Sequence, residues 1–404
     1  MSDAQHIRTD DERWERIVEL TSGAANTCLE CDVCEVVCPW SNWEKSGPDL
    51  PTMLRNAQQG AGADQSTEDS LWGCCTCASC ETTCPKGVKV TDVLLGLRGL
   101  AFEDGRAPTR LSGLLKSLLE TGNPDGRPAD EKMDWAKGLD LPPMNEERGC
   151  LVYFGAAACY DLRLQRVSQA LESVLSAINL DFGVLEDEPD SGAVVRFLGE
   201  QGYLERLIDT NLETFKDFGV REVVAVSPYD YDMFMRIYPR YGDAFRVFHI
   251  TEYLDQLIQY DRLAFAHQGS TRRALYHDPC YLGRHHSVYD PPRRVLQAMP
   301  GLELVEFERS REDAPCCGGG GARMWLNEDP GECFSDERVQ EAKDLDIDLI
   351  VTPCPYCIQM FEESLANKFI EGVEIRDVVE LAATWGPYLP SEQDDAVYGT
   401  QATA

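Results

Sequence analysis

The sequence predicts an α/β fold made of two duplicated modules, behind a smaller and mostly helical N-terminal domain. Three observations carry that prediction. Beyond about residue 149, short β-rich runs alternate with helical patterns, the signature of parallel strands joined through helices. The same half repeats itself: Ser227-Pro-Tyr-Asp-Tyr-Asp-Met-Phe234 lies over Cys354-Pro-Tyr-Cys-Ile-Gln-Met-Phe361, sharing Pro, Tyr, Met and Phe in register. Thirteen of the seventeen cysteines fall into three spacing patterns, two of them within the first 84 residues and one within the second repeat.

Along the chain, residues 11–22 place Trp14, Ile17, Val18 and Leu20 among charges, as a short amphipathic helix does. Residues 51–70, with Gln58-Gln59-Gly60-Ala61-Gly62, read as a loop or frayed helical connection. Helices are expected over 90–102 and 111–119. From 121 to 148 the sequence turns to Gly, Pro and charge, including Gly122-Asn123-Pro124 and Leu141-Pro142-Pro143, which marks a linker. Strands are expected at 150–154, 222–226, 274–277 and 349–352, with helices at 164–178 and 338–345 between them. The expected division is therefore 1–120, linker 121–148, first module 149–262, second module 263–384 and a loose tail 385–404.

The chain has 404 residues and a formal net charge of -33, and only nine of its 37 cationic residues are Lys. Nucleic acid is excluded as a partner, since phosphate neutralisation needs clustered Lys and Arg. The carboxylates are spread along the whole chain, which favours solubility in a salty cytoplasm over steering of a basic redox partner. No apolar run reaches the length of a membrane span. The opening residues, with Asp3, Asp10, Asp11 and Glu12, do not read as a signal peptide, so a reducing cytoplasm is expected.

Cysteines in C-x2-C groups then point to metal rather than disulfides. Cys28-x2-Cys31-x2-Cys34-x3-Cys38-Pro39 and Cys74-x2-Cys77-x2-Cys80-x3-Cys84-Pro85 carry the bacterial-ferredoxin spacing for two [4Fe-4S] cubanes. Because the fourth cysteine of each run ligates the other cluster, Cys28, Cys31, Cys34 and Cys84 are expected on one cubane and Cys74, Cys77, Cys80 and Cys38 on the other. A zinc site closes with four ligands and does not call for an eight-cysteine pattern with both prolines. Cys75, Cys150 and Cys333 read as spectators, and Cys159 alone cannot hold a cluster.

The third pattern is Cys280, then Cys316-Cys317-Gly318, then Cys354-Pro355-Tyr356-Cys357, on loops that each follow an expected strand, the usual place for a site in an open α/β sheet. Five thiolates exceed what one cubane or one zinc takes and suggest a cluster of another shape. Gly318 and Gly319, opening a run to Gly321, let backbone pass close to it and aim amides at its sulfurs. His277 is the candidate proton donor, although hydrogen bonding around the cluster is the plainer role for it and for the nearby Asp278, Arg284, His285 and His286. In the first repeat, Gly155-Ala156 lies over Pro279-Cys280 and Asp190-Ser191-Gly192 over Cys316-Cys317-Gly318. Ala156, Asp190, Ser191, Ser227 and Asp230 thus replace every ligand there. Capping or solvated roles suit these residues better than binding a hard cation.

The third pattern resembles the cysteine-rich CCG domain. Two ferredoxin-type motifs ahead of two CCG copies resemble the D-type subunit of heterodisulfide reductases, with His277-Asp-Pro-Cys-Tyr-Leu-Gly-Arg284, Ala314-Pro-Cys-Cys-Gly-Gly-Gly and Thr352-Pro-Cys-Pro-Tyr-Cys357 as the specific matches. The resemblance implies a non-cubane [4Fe-4S] cluster on Cys280, Cys316, Cys317, Cys354 and Cys357, of the kind that cleaves disulfides in two one-electron steps. It also implies a hetero-oligomeric complex in which the cubanes exchange electrons with a flavoprotein or a membrane cytochrome b that meets quinol. The family's two-copy members hold two such clusters, whereas only the second copy here can hold one, which sets the heterodisulfide itself apart as substrate.

Two readings follow. The leading one is an oxidoreductase subunit that passes electrons through two cubanes to or from a thiol- or disulfide-reactive cluster. The alternative is a relay without its own substrate, linking electron-transfer flavoprotein, or a glycolate, lactate or glycerol-3-phosphate dehydrogenase, to a quinone or membrane cytochrome. No G-x-G-x-x-G follows a strand, so a flavin or nicotinamide site is not expected in this chain.

Overall fold

The computed structural model describes residues 11–20, 23, 27–29, 31–40, 49–58, 68–242, 245–266, 271–326 and 334–390. Cys333 and the chain beyond residue 390, both given roles above, lie outside the described residues.

Runs such as Cys-Leu-Val-Tyr and Glu-Val-Val-Ala are buried along their whole length, as strands covered on both faces must be. They form the first sheet, in which β1 (Cys150–Tyr153), β2 (Glu222–Ala225) and β3 (Arg246–His249) lie parallel in the order β1-β2-β3. On the free edge of β1, Leu151 bridges in parallel to Gly183. A short antiparallel pair joins β4 (Ala264–Phe265) to a strand at residues 387–388. The second sheet contains β5 (Arg272–Tyr276), β6 (Leu302–Glu306), β7 (Leu349–Val351) and β8 (Glu374–Arg376), all parallel, in the order β6-β5-β7-β8.

The two sheets repeat one plan. β1, β2 and β3 answer to β5, β7 and β8, and the bridge at Gly183 stands where β6 pairs with β5. The helix after β3 (Ile250–Gln259) opens on a capping box of His249 with Glu252, and the one after β8 (Val378–Thr384) on Asp377 with Glu380. Contacts between the modules are reciprocal. The helix after β1 (Gln165–Ala177) packs on Val378–Thr384, and the helix after β5 (Asp290–Gln297) packs on Ile250–Gln259. Matching ion pairs seal both seams: Arg163 to Glu380 at 3.0 Å and Arg294 to Asp255 at 2.5 Å. The modules thus face one another as approximate two-fold mates.

The N-terminal region is helical, with Asp11–Leu20, Leu50–Gln58, Glu68–Gly73, Val90–Glu103 and Thr109–Thr121 as its longer helices. Part of the expected connection at 51–70 is therefore helix, its Leu50, Met53, Leu54 and Ala57 buried against the cysteine runs. Val90–Glu103 packs on the first module's helix Ala193–Leu198, and the approach needs glycine on both sides. A Cβ at Gly99 would stand 2.8 Å from the Gly199 carbonyl oxygen, and Gly199 itself has φ +80°.

Two segments differ from expectation. Stretch 121–148 is no free linker: Asn123, Lys132, Trp135 and Met144 are buried, and Lys132 pairs with Glu188 at 3.0 Å. Nor does a loose tail begin at 385, because Trp385 is buried with its indole donating to Pro300 O, and β9 (Pro387–Tyr388) pairs with β4. No helix among the described residues is long and apolar enough to cross a membrane.

Candidate iron–sulfur centres

Each ferredoxin-type run folds into a tight turn followed by one helical turn, Val33–Val36 or Ser79–Thr82. The residue before each helix is left-handed, Asp32 at φ 60° and Ala78 at φ 61°, a strain kept where the chain wraps a shared centre. Cys28, Cys31, Cys34 and Cys84 line one pocket together with Pro85, Val88, Pro51 and Leu54. Cys38 instead lies among Cys74, Cys77 and Cys80, close enough for its charge to raise the Cys74 and Cys80 thiols. The two sets are those expected from exchange of the fourth cysteine. Burial first, then Cys28, pushes Cys34 up to about 11, and burial pushes Cys74 up to about 12. Such thiols give up their protons against a metal's charge rather than to water.

The third set gathers at the carboxyl ends of β5 and β7. Cys316, Cys317, Cys354 and Cys357 are each 2 % exposed and Cys280 is 6 % exposed. The sulfurs of Cys317 and Cys357 stand 3.2 Å apart. Cys354 ends the β7 loop and Pro355 starts the helix Pro355–Asn367, which carries Cys357 on its first turn. Cys75, read above as a spectator, belongs to this neighbourhood: its sulfur and those of Cys77 and Cys316 all lie within 4.8 Å of one another. Cys316 gathers hydrogen bonds from Cys280, Cys317, Cys75 and Cys77, which hold it well below the usual thiol range and push theirs up.

The glycine run serves two purposes. Gly318, at φ +92°, donates its amide to the Cys316 sulfur at 3.3 Å, and a Cβ on Gly319 would meet Met360 at 2.9 Å. Gly320 and Gly321 answer to another neighbour, since a Cβ on either would fall on the carbonyl oxygen of Cys75 or Cys74. The loop after Cys280 grips the same segment. Arg284 Nε donates to Cys77 O at 2.7 Å, His285 Nε2 meets Thr76 O at 2.9 Å, and Tyr281 shares a 2.9 Å hydroxyl hydrogen bond with Thr76. The second ferredoxin-type run and the third cysteine set are thereby held loop against loop.

Among the other residues singled out, His277 is wholly buried, edge-on to Phe361, and its Nδ1 has no partner in the protein. Burial, then Arg338, pushes it well below the usual histidine range, so the ring is neutral. Asp278 is held bidentate by Arg293, and His286 Nε2 lies 2.9 Å from Asp232. Arg98, which belongs to none of the sequence motifs, is fully buried. It donates to Leu71 O, Cys74 O, Phe197 O and Gly321 O at 2.7–3.0 Å, tying the N-terminal region to both modules at once. A lone cation in the apolar helix Val90–Glu103 was its only signal in the sequence.

The first module's matching site is filled from within. Ser191 donates to Asp230 at 2.5 Å, Asp190 accepts from the Gly192 amide, and Ser227 caps Pro228–Asp232. Glu188 pairs with Lys132 and accepts from the Phe154 and Gly155 amides. Burial pushes the Asp230 carboxyl up to about 7, from 3.8. A raised folded-state value means that its stability contribution is complete below about pH 4 and lost as pH rises toward 7. Asp230→Asn is therefore expected to be more stable than the parent by an amount that grows between about pH 5 and about pH 8, up to a few kcal/mol, in thermal unfolding.

Whether these residues suit iron–sulfur clusters can be judged on the chain itself. The donors are soft thiols, unpaired by disulfides among the described residues. A glycine cradle runs beside them, and Arg284 Nη2 and His277 Nδ1 are buried donors or acceptors with no protein partner. An anionic sulfur-rich group fits that set.

Comparison with known proteins agrees. Residues 24–88 match the 4Fe-4S dicluster domain and residues 274–362 the Cysteine-rich domain, CCG. A probable iron-sulfur-binding oxidoreductase, FadF, from Bacillus subtilis is 34 % identical over 79 % of this chain and 47 % of its own length. The EtfAB:quinone oxidoreductase of Syntrophomonas wolfei is 28 % identical over 92 % of this chain and 59 % of its own. The D-type subunit of the dihydromethanophenazine:CoB--CoM heterodisulfide reductase of Methanosarcina acetivorans is 29 % identical over 78 % of each. The chain spans about half the length of several of its curated relatives. By its cysteine sets, its fold and these relatives, the chain belongs to the iron–sulfur proteins of the heterodisulfide reductase D-type, with a 4Fe-4S dicluster domain ahead of a CCG domain.

Proposed function

We propose that the chain is the electron-transferring subunit of an oxidoreductase complex, with two cubanes and one non-cubane [4Fe-4S] cluster. Cys28, Cys31, Cys34 and Cys84 would hold the first cubane, and Cys74, Cys77, Cys80 and Cys38 the second. Cys280, Cys316, Cys317, Cys354 and Cys357 would hold the third cluster. When bound, the cubanes supply one-electron carriers and the third cluster a thiol- or disulfide-reactive centre. The observation that carries this reading is the loop-against-loop contact of Cys74–Cys77 with Gly320–Gly321 and Arg284, which sets the second and third ligand sets side by side with their backbones in direct contact. His277, buried beside Cys316, would hold or pass a proton there.

The test is to part the loops without touching a ligand. Gly320→Ala places a methyl group on the Cys75 carbonyl and is expected to keep a full iron content while slowing internal electron transfer about tenfold or more, read by rapid-freeze EPR after mixing with a reductant. An unchanged rate at full iron would count against adjacency as the working path.

A second reading draws on one relative. The Syntrophomonas wolfei protein, which aligns with 92 % of this chain, is named an EtfAB:quinone oxidoreductase. In that reading the chain relays electrons from a flavoprotein toward a quinone-reactive membrane subunit and has no thiol substrate of its own. Association with the membrane would then come through the partner.

A further inference from the structure

In a chain with 70 acidic residues against 37 basic ones, a buried arginine ordinarily finds a carboxylate. Arg293, Arg294, Arg163 and Arg338 do so. Arg284 and Arg98 do not: among the described residues neither pairs with a carboxylate, and each spends its fork on the main-chain oxygens of cluster-ligand loops. Arg284 donates through Nε to Cys77 O at 2.7 Å and through Nη1 to Ala314 O at 2.5 Å, two residues before Cys316. Its remaining nitrogen, Nη2, is buried without any protein partner. A full positive charge is thus desolvated between two thiol sets, and nothing in the protein neutralises it except those thiols. Their charges, those of Cys77, Cys280 and Cys316, are also what push the guanidinium above its usual range against burial.

We propose that Arg284 is a potential-setting cation shared by the cluster on Cys74, Cys77, Cys80 and Cys38 and the cluster on Cys280 and Cys316, and that its fork keeps the two ligand loops in register. The inference rests on the cluster assignment above. Reduction adds one electron, and so one negative charge, to a cluster. A fixed cation beside it stabilises that added charge, and net charge and hydrogen bonding are the protein's levers on such potentials. Arg284 acts only through this field and these loops and touches no reacting atom.

The experiment is an EPR-monitored redox titration of the full chain as purified anaerobically, with iron and sulfide counted, for the parent, Arg284→Met and Arg284→Lys. In Arg284→Met the reduction equilibrium of the second cubane is expected to move toward the oxidised form by about tenfold or more, a fall of about 59 mV for one electron. The first cubane, on Cys28, Cys31, Cys34 and Cys84, serves as the internal control and is expected not to move. Arg284→Lys keeps the charge and is expected to stay near the parent value. Full iron in Arg284→Met with an unmoved second cubane overturns the inference, and so does a Lys variant shifted as far as the Met variant. Should Arg284→Met fail to assemble, the Lys variant decides: a parental potential supports the charge role and a lowered one overturns it. A parent chain with too little iron for three clusters would instead defeat the assignment of the third cluster, while the second cubane would still report on Arg284.

Discussion

Cys317→Ala is expected to lose about four of about twelve irons per chain, to keep both cubane signals, and to abolish turnover with its natural electron donor and acceptor. The cysteine sits 2 % exposed with its sulfur 3.2 Å from that of Cys357, at the centre of the third set and away from the pocket formed by Cys28, Cys31, Cys34 and Cys84. Removing one thiol of the five leaves the first two ligand sets untouched. Iron and sulfide analysis with EPR of the reduced protein checks the first part, and steady-state assay in the assembled complex the second. Full turnover in this variant would take the third set off the electron path.

Arg98→Met is expected to be the most damaging single substitution that removes no cysteine. The guanidinium uses its donors on carbonyls from the Leu71–Cys74 segment, from Phe197 in the first module and from Gly321 in the second, while its central carbon lies 5.2 Å from the centre of the Trp72 ring. Truncation leaves those buried oxygens unsatisfied, and charged hydrogen bonds count for more than neutral ones, so a loss of at least about 4 kcal/mol follows. Thermal unfolding of the cluster-loaded chain measures it. Arg98→Lys should recover only part, because an ammonium cannot span the same carbonyls as a planar fork. Wild-type stability in the Met variant would contradict the clamp.

The cysteine spacings made the three ligand sets legible before any fold was known, because a cluster imposes its geometry through local sequence separation. The duplication was legible too. Pro228-Tyr229 and Pro355-Tyr356 sit at equivalent places after β2 and β7, and their tyrosine rings meet at 4.7 Å between the modules. Strands β1, β2, β5 and β7 are central and apolar, and the sequence showed them. Strands β3, β6 and β8 escaped because they lie at sheet edges, where Arg246, Glu303 and Glu374 face solvent and break the pattern. The meeting of Cys75 with Cys316, and of Arg284 with Cys77, spans more than two hundred residues and leaves no local trace. Cys75 therefore read as a spectator beside a regular motif. The acids that refill the first module's site were visible as Asp190 and Asp230, but their buried state depends on Glu188 and on Lys132 from the stretch taken for a linker.

The central claim is that the second CCG copy holds a third, substrate-responsive cluster wired to the cubanes. It is tested most directly by low-temperature EPR of anaerobically purified protein poised across a range of potentials, with and without an added thiol. The account predicts two reduced-state cubane signals and a third signal in the oxidised state that shifts when thiol is present. Two cubane signals alone, with iron for only two clusters and no response to thiol, would contradict it.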